Sequence, residues 1–281
     1  MTMVKVVNPK DKEAVSGTIH EAICQVISNE EVNSDYRHLV LKAPEEILDI
    51  IPGQFFHLLC PEKDNLRPYL RRPMSIYSVN KEKGELHFLY KVQGEGTKAL
   101  ATLNPKDSFN VVGPLGVGFT IKPDASHLVL VARGVGLATL APLADAAQKQ
   151  GCKLTAICSA RSPDMLMSTD YFLSKGAEVI TLTDSMGTSE MSHLREILVG
   201  IIENEGVDAI YTCGSNRILK ILQNLCQEFN IPGQIALEQQ MACGIGMCFC
   251  CVRQFKMNGS EVSERVCKKG PVFNILEAIA W

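Results

Sequence analysis

The chain has 281 residues, 46% hydrophobic and 21% charged, a mixture that excludes a disordered or fibrous protein. Its 28 Lys and Arg against 31 Asp and Glu leave a net charge of -3, without the basic footprint of a nucleic-acid binder. The length is large for one compact core and predicts two domains with a small appendage.

The opening MTMVKVVNPKDKEAVSG has no apolar core of signal-peptide length, and no later stretch reaches the ~18 apolar residues of a membrane span. A cytoplasmic protein without membrane contact is expected. Up to Phe119 the runs HLVLKAP, GQFFHLLC, GELHFLYKV and DSFNVVGP have strand character and are punctuated by Pro, Gly and Asn, which predicts an antiparallel β-barrel over residues 1–119. Over residues 120–233 the apolar runs HLVLVA, KLTAICSA, AEVITLTD and DAIYTCG alternate with the helix-like LATLAPLADAAQKQ, MSHLREILVGIIENE and NRILKILQNLCQEF. This rhythm predicts a parallel sheet with crossover helices, so the fold class is α/β plus β. Residues 234–281 hold too little periodic apolar sequence for an independent core, and a metal centre would supply the missing stability.

Eleven cysteines without an export signal argue for thiols in a reducing compartment, and five of them fall between Cys243 and Cys267. In ACGIGMCFCC, Cys243, Cys248 and Cys251 have the C-x4-C-x2-C spacing of plant-type ferredoxins, and Cys267 in ERVCKKGPVF supplies a distant fourth thiolate for a [2Fe-2S] cluster. Gly244 and Gly246 let the backbone approach the inorganic core without a Cβ in the way. The competing reading is a four-cysteine zinc site in a binding module, but such sites usually pair two short knuckles and only one is present. Cys250 stands outside the preferred register.

Upstream, Arg72-Pro73-Met74-Ser75 lies between barrel-like strands, where a guanidinium suits a pyrophosphate and a hydroxyl suits a flavin ring. Gly94-Glu95-Gly96-Thr97 follows the strand LHFLYKV and opens a helix-like run, a further place for phosphate. Taken singly each is as readily a basic surface turn or an ordinary strand-to-helix connection. Together, and beside a cluster, they favour a flavin.

The segments RRPMSI, YKVQGEGTKAL, VGPLGVGF, ICSARS, YTCGSNRILK, LEQQMACGIGMCFCCV and RVCKKGPVF resemble the iron-sulfur flavoprotein electron-transfer subunits of NAD-dependent dihydroorotate dehydrogenase, within the ferredoxin-reductase superfamily, over nearly the whole chain. The resemblance implies an antiparallel β-barrel FAD domain, a Rossmann-like NAD-binding domain and a small C-terminal [2Fe-2S] domain. It implies FAD contacts by Arg72, Pro73, Met74, Ser75, Tyr90, Gly94, Gly96 and Thr97, cluster ligation by the four cysteines, and NAD contacts by Gly134, Gly136 and Cys213. It further implies an FMN-containing catalytic subunit as partner, in a heterotetramer that serves pyrimidine biosynthesis. A flavin exchanges hydride with a nicotinamide and single electrons with a cluster, so it belongs between them.

The chain departs from this pattern in Ala132-Arg133-Gly134-Val135-Gly136, where relatives carry more glycine and Arg133 places a bulky cation. Arg133 reads either as a phosphate donor or as a solvated surface residue, and Cys213 either as a nicotinamide contact or as a buried thiol. Two further readings follow: a redox adaptor that has lost nicotinamide binding, and the small subunit of a ferredoxin-dependent NAD(P)H transhydrogenase. The six histidines are dispersed and receive no role.

Overall fold

The computed structural model describes residues 18–63 and 65–280, so the opening segment read above lies outside the described residues. The first sheet has seven antiparallel strands in the order β4-β3-β7-β1-β2-β6-β5, curled into a half-barrel. They are β1 (His20–Glu31), β2 (Tyr36–Lys42), β3 (Phe55–Leu58), β4 (Arg72–Ser75), β5 (Ser78–Asn80), β6 (Glu85–Lys91) and β7 (Ser108–Leu115), with helix α1 (Glu95–Leu100) between the last two. Strand alternation sends Ala22, Cys24 and Val26 of β1, and Leu86, Phe88 and Tyr90 of β6, into one core with Leu39, Leu41, Phe56 and Leu58. The predicted barrel runs correspond to β2, β3, β6 and β7; β1, β4 and β5 complete the sheet.

The second sheet has the order β10-β9-β8-β11-β12-β15. Strands β8 (His127–Arg133), β9 (Lys153–Ala160), β10 (Glu178–Thr183), β11 (Ala209–Cys213) and β12 (Gly233–Ala236) are parallel, as the rhythm predicts. Both faces are covered, which is why these strands read as continuous apolar runs. Leu128, Leu130 and Ala132 of β8 pack with Leu137, Leu140 and Leu143 of α2 (Gly136–Gln150). Val129 and Val131 face the other way, toward Leu194 and Leu198 of α4 (Met191–Glu205) and Leu219 and Leu222 of α5 (Asn216–Glu228). The short α3 (Thr169–Ser174) contacts β10 and α2.

The C-terminal segment differs from a separate appendage. After the cysteine loop come the hairpin β13 (Val252–Met257) and β14 (Ser260–Arg265), the single turn α6 (Val266–Lys269), and β15 (Val272–Asn274), which pairs antiparallel with β12 and extends the parallel sheet. The expected boundary at 233/234 therefore falls inside β12. So few apolar residues cannot bury a core alone. Met241, Cys251, Phe255, Val266, Cys267 and Phe273 instead join the core formed with α4 and α5, and Phe55 and Leu115 of the barrel enter it too. Among the described residues, no helix is long and apolar enough to cross a membrane.

Candidate functional site

The flavin-type features meet in space. Strand β4 pairs with β3, and Arg72 from its first position lies against the start of α1, where a Cβ on Gly96 would fall 2.4 Å from Arg72 Nε. Only glycine admits the guanidinium here, and Arg72 also donates to the Leu70 carbonyl. The turn before α1 is tied by one hydroxyl: Thr97 Oγ1 accepts from the amides of Gln93 (2.9 Å) and Gly94 (3.1 Å). Thr97 thus holds the turn while Gly94 stays exposed, with no atom within 4 Å of a would-be Cβ. Pro73, Met74 and Ser75 are half-buried along β4. This cradle of an arginine, a glycine turn and open space suits a dinucleotide's diphosphate.

Tyr90 requires a correction. Its side chain is 1% exposed within the barrel, and its hydroxyl donates to Asn29 Oδ1 at 2.9 Å. Burial pushes the phenol up to about 12. The even positions of β6 point inward, so proximity in sequence to the glycine turn does not carry the ring to the cradle.

A cleft of about 290 Å³ separates barrel and sheet, lined on one side by Asp35, Tyr36 and Lys91 and on the other by Gly134, Arg161 and Gly214. It opens at the carboxyl ends of the parallel strands, the place where such sheets bind ligands. Gly134 has φ +57°, and a Cβ on Gly136 would lie 2.6 Å from the Cys213 carbonyl, so both glycines are needed for the tight β8–α2 turn. Cys213 is the buried thiol of the two readings: it is 1% exposed, and burial pushes its pKa up. Arg133 is half-buried at the cleft and is already paired with a carboxylate. It grips Asp184 with two nitrogens (3.0 and 2.5 Å) and Ser159 Oγ at 3.0 Å, tying together the ends of β8, β9 and β10. Hydrogen bonds from Arg133 and then Ser189 hold the Asp184 carboxyl down at about 2.

The cysteine loop is irregular, with left-handed backbone at Gly244 (φ +70°), Gly246 (φ +84°) and Phe249 (φ +60°). Cys243 Sγ accepts from the amides of Met247 (3.3 Å) and Cys248 (3.4 Å), and Cys251 Sγ accepts from the amide of Cys267 (3.4 Å). Burial opposes ionisation of Cys243, but the N–H groups aimed at its sulfur outweigh it and bring the thiol down to about 6. Cys267 is pushed up to about 12 by burial and by Cys251 beside it. The free thiols thus stand near one another two by two, Cys243 by Cys248 and Cys251 by Cys267, each pair joined by an amide-to-sulfur hydrogen bond. Among the described residues, no three His, Cys, Asp or Glu side chains lie close enough to share one metal ion. It is the C-x4-C-x2-C spacing that favours two bridged irons over a single zinc. Arg265 braces the loop, donating to the Gly246 carbonyl at 2.7 Å with its guanidinium 4.7 Å from the Phe249 ring centre. Cys250 is exposed and turned toward the Gln240 carbonyl. Sequence reasoning passed over Arg265 and His57, whose ring lies against Gly244, because neither belongs to a recognisable spacing.

Comparison with known proteins agrees with both centres. Residues 23–119 match the family of oxidoreductase FAD-binding domains, and residues 238–278 match the iron-sulfur cluster binding domain of dihydroorotate dehydrogenase B. The electron transfer subunit of dihydroorotate dehydrogenase B (NAD(+)) from Desulforamulus reducens is 32% identical over 236 residues, 84% of this chain and 89% of that protein. Its namesake from Bacillus cereus is 33% identical over 260 residues, 90% of this chain and 96% of that protein. Among solved structures, an NADH-dependent reduced ferredoxin-NADP oxidoreductase superposes with a TM-score of 0.77 at 26% identity, covering 94% of this chain and 91% of that one. Ferredoxin-NADP+ reductase from Plasmodium falciparum, at 14% identity and a TM-score of 0.59 over 74% of this chain and 89% of that one, shares the fold. The chain belongs to the family of electron transfer subunits of dihydroorotate dehydrogenase B.

Proposed function

We propose that this chain carries electrons between NAD(H) and a partner flavoenzyme subunit through FAD on the barrel and a [2Fe-2S] cluster held by Cys243, Cys248, Cys251 and Cys267. The observation that carries the reading is the match of residues 238–278 to an iron-sulfur cluster binding domain, supported by the nearness of Cys243 to Cys248 and of Cys251 to Cys267 and by the packing of Gly244 against His57 of the barrel strand that pairs with β4. When bound, the flavin exchanges hydride with nicotinamide and single electrons with the cluster. The protein's part is to bind and orient. Arg72 neutralises diphosphate from the place Gly96 leaves for its guanidinium, Gly94 lets the backbone come close, Thr97 holds the turn, and Pro73, Met74 and Ser75 line the flavin. The lowered pKa of Cys243 keeps it a thiolate ready for iron. Gly134 and Gly136 shape the cleft for the dinucleotide.

The partner is an FMN-containing dihydroorotate dehydrogenase subunit, joined in a cytoplasmic heterotetramer that serves pyrimidine biosynthesis. Ile245, Met247 and Phe249 are exposed on the cysteine loop and offer it an apolar surface beside the cluster. A second reading, the small subunit of an NADH-dependent reduced ferredoxin-NADP oxidoreductase, is favoured by the 0.77 TM-score over 94% of the chain. Anaerobic purification from the native source, with iron, sulfide and flavin analysis and spectra before and after NADH, tests the proposal. Brown protein with FAD, two irons and two sulfides per chain that bleaches with NADH is expected, and the co-purifying subunit separates the two readings. Colourless protein without flavin or acid-labile sulfide would refute both.

A further inference from the structure

His57 is a buried polar side chain with one ring nitrogen that lacks a partner. It is 1% exposed, and its Nε2 forms no hydrogen bond. An imidazole nitrogen left so in the interior is unfavourable, which makes an unfilled role for it the natural inference. The ring is aimed at the cysteine loop: a Cβ on Gly244 would fall 2.7 Å from Nε2 and 2.8 Å from Cε1. The imidazole edge therefore occupies the space a side chain at 244 would take, against the residue that follows Cys243. Strand alternation explains the aim. Phe56 and Leu58 of β3 point into the barrel core, so Phe55 and His57 point outward, and Phe55 enters the core shared with Cys251 and Cys267.

We propose that His57 donates an N–H···S hydrogen bond from Nε2 to a sulfur of the iron-sulfur centre, the Cys243 thiolate or an inorganic sulfide beside it, and so raises the reduction potential of that centre. The inference rests on the four-cysteine reading above. A donor at sulfur stabilises the state with more negative charge, which is the reduced one. His57 acts here as a positioning and tuning residue. It neither ligates iron nor takes a proton.

The test uses the full chain, purified or reconstituted anaerobically with iron and sulfide, in wild-type, His57→Phe and His57→Gln forms. The Phe variant keeps a ring of similar shape without the donor, and the Gln variant restores an N–H at a comparable reach. EPR-monitored redox titration should show the reduced-to-oxidised ratio of the His57→Phe cluster lowered about tenfold at fixed potential, ~59 mV for one electron, with His57→Gln returning much of the shift. Pulsed EPR of reduced wild-type protein labelled with 15N-histidine should show a nitrogen coupling to the cluster, a reading that does not require any variant to fold. An unchanged potential in a cluster-loaded His57→Phe protein, or a labelled wild type without that coupling, would overturn the proposal. Wild-type protein that binds no cluster would instead overturn the four-cysteine assignment.

Discussion

Replacing Gly96 by Ala should weaken FAD binding without unfolding the protein. A Cβ at this position would lie 2.4 Å from Arg72 Nε and 2.6 Å from Cζ, so the guanidinium must retreat by roughly 1 Å to regain a normal contact near 3.5 Å. The obstacle is the far end of a flexible side chain, which can swing away at little cost. Gly96 also lies in the first turn of α1, where Ala is preferred over Gly by up to ~1 kcal/mol, so stability should hold or rise slightly. What is lost is the placement of Arg72. A charge-assisted hydrogen bond is worth roughly 1.5–3 kcal/mol, so FAD should bind about 10- to 100-fold more weakly. Equilibrium dialysis with the thermal midpoint of the flavin-free protein reads both quantities, and Gly96→Ala with Arg72→Ala forms a double-mutant cycle. In that cycle the double variant should bind no worse than Arg72→Ala alone. Wild-type FAD affinity in Gly96→Ala, or fully additive losses in the double variant, would refute the role given to Arg72.

Gly113→Ala provides the contrast, because its Cβ would meet the Phe56 ring at 2.3 Å inside the barrel core, where the ring has nowhere to go. It should cost about 1–3 kcal/mol in urea unfolding with no selective loss of flavin affinity. Cys251→Ser should abolish the cluster, whereas Cys250→Ser should retain two irons and two sulfides by chemical assay, since Cys251 is buried beside Cys267 and Cys250 is exposed. The Asp184 carboxyl is held at about 2 against an ordinary 3.8, first by Arg133. Its stabilisation is therefore complete above about pH 5 and lost as pH falls through about 2. Because the carboxylate is 46% exposed, the difference from Asp184→Asn in urea unfolding should stay below ~1 kcal/mol, flat from pH 7 to 5 and shrinking toward pH 3. A difference that grows on acidification would contradict this assignment.

What the sequence reveals depends on how local the physics is. Cluster ligation needs three thiolates from one short loop, so the Cys243, Cys248 and Cys251 spacing is readable without a fold. The parallel sheet is equally plain, because strands covered on both faces must be apolar throughout. Strand β1 was harder, since its outward positions include the exposed Ile23 and blur the alternation. The β13–β14 hairpin has its own signal in Asn258-Gly259, both with positive φ, but its strands are mostly polar and lie in the stretch whose apolar sequence is too sparse to show a period. Strand β15 is three residues long and acquires its identity only by pairing with β12. The side-chain assignments that changed are of one kind. Tyr90 lies near the site in sequence, yet strand register turns it inward, and Arg133 meets a carboxylate 51 positions away that no local pattern announces.

Strand β3 explains why the two redox centres keep a fixed relation. It is four residues long, and its ladder with β4 pairs Phe55 with Ser75 and His57 with Pro73, so the flavin-type segment is hydrogen-bonded directly to it. From the same strand Phe55 packs into the core that holds Cys251 and Cys267, while His57 abuts Gly244. The cysteine loop thus reaches the flavin-type segment across one strand rather than through a linker, while β15 and the shared core fasten the same C-terminal segment to the parallel sheet. The cleft proposed for the dinucleotide is built differently, with walls from Asp35, Tyr36 and Lys91 on the barrel and from Gly134, Arg161 and Gly214 on the sheet. A change in the angle between the two units would open or narrow that cleft while leaving the β3–β4 ladder intact. Because the cysteine segment is fastened to both units, such a change would also strain the core around Cys251 and Cys267, so the cleft and the cysteine loop are mechanically coupled.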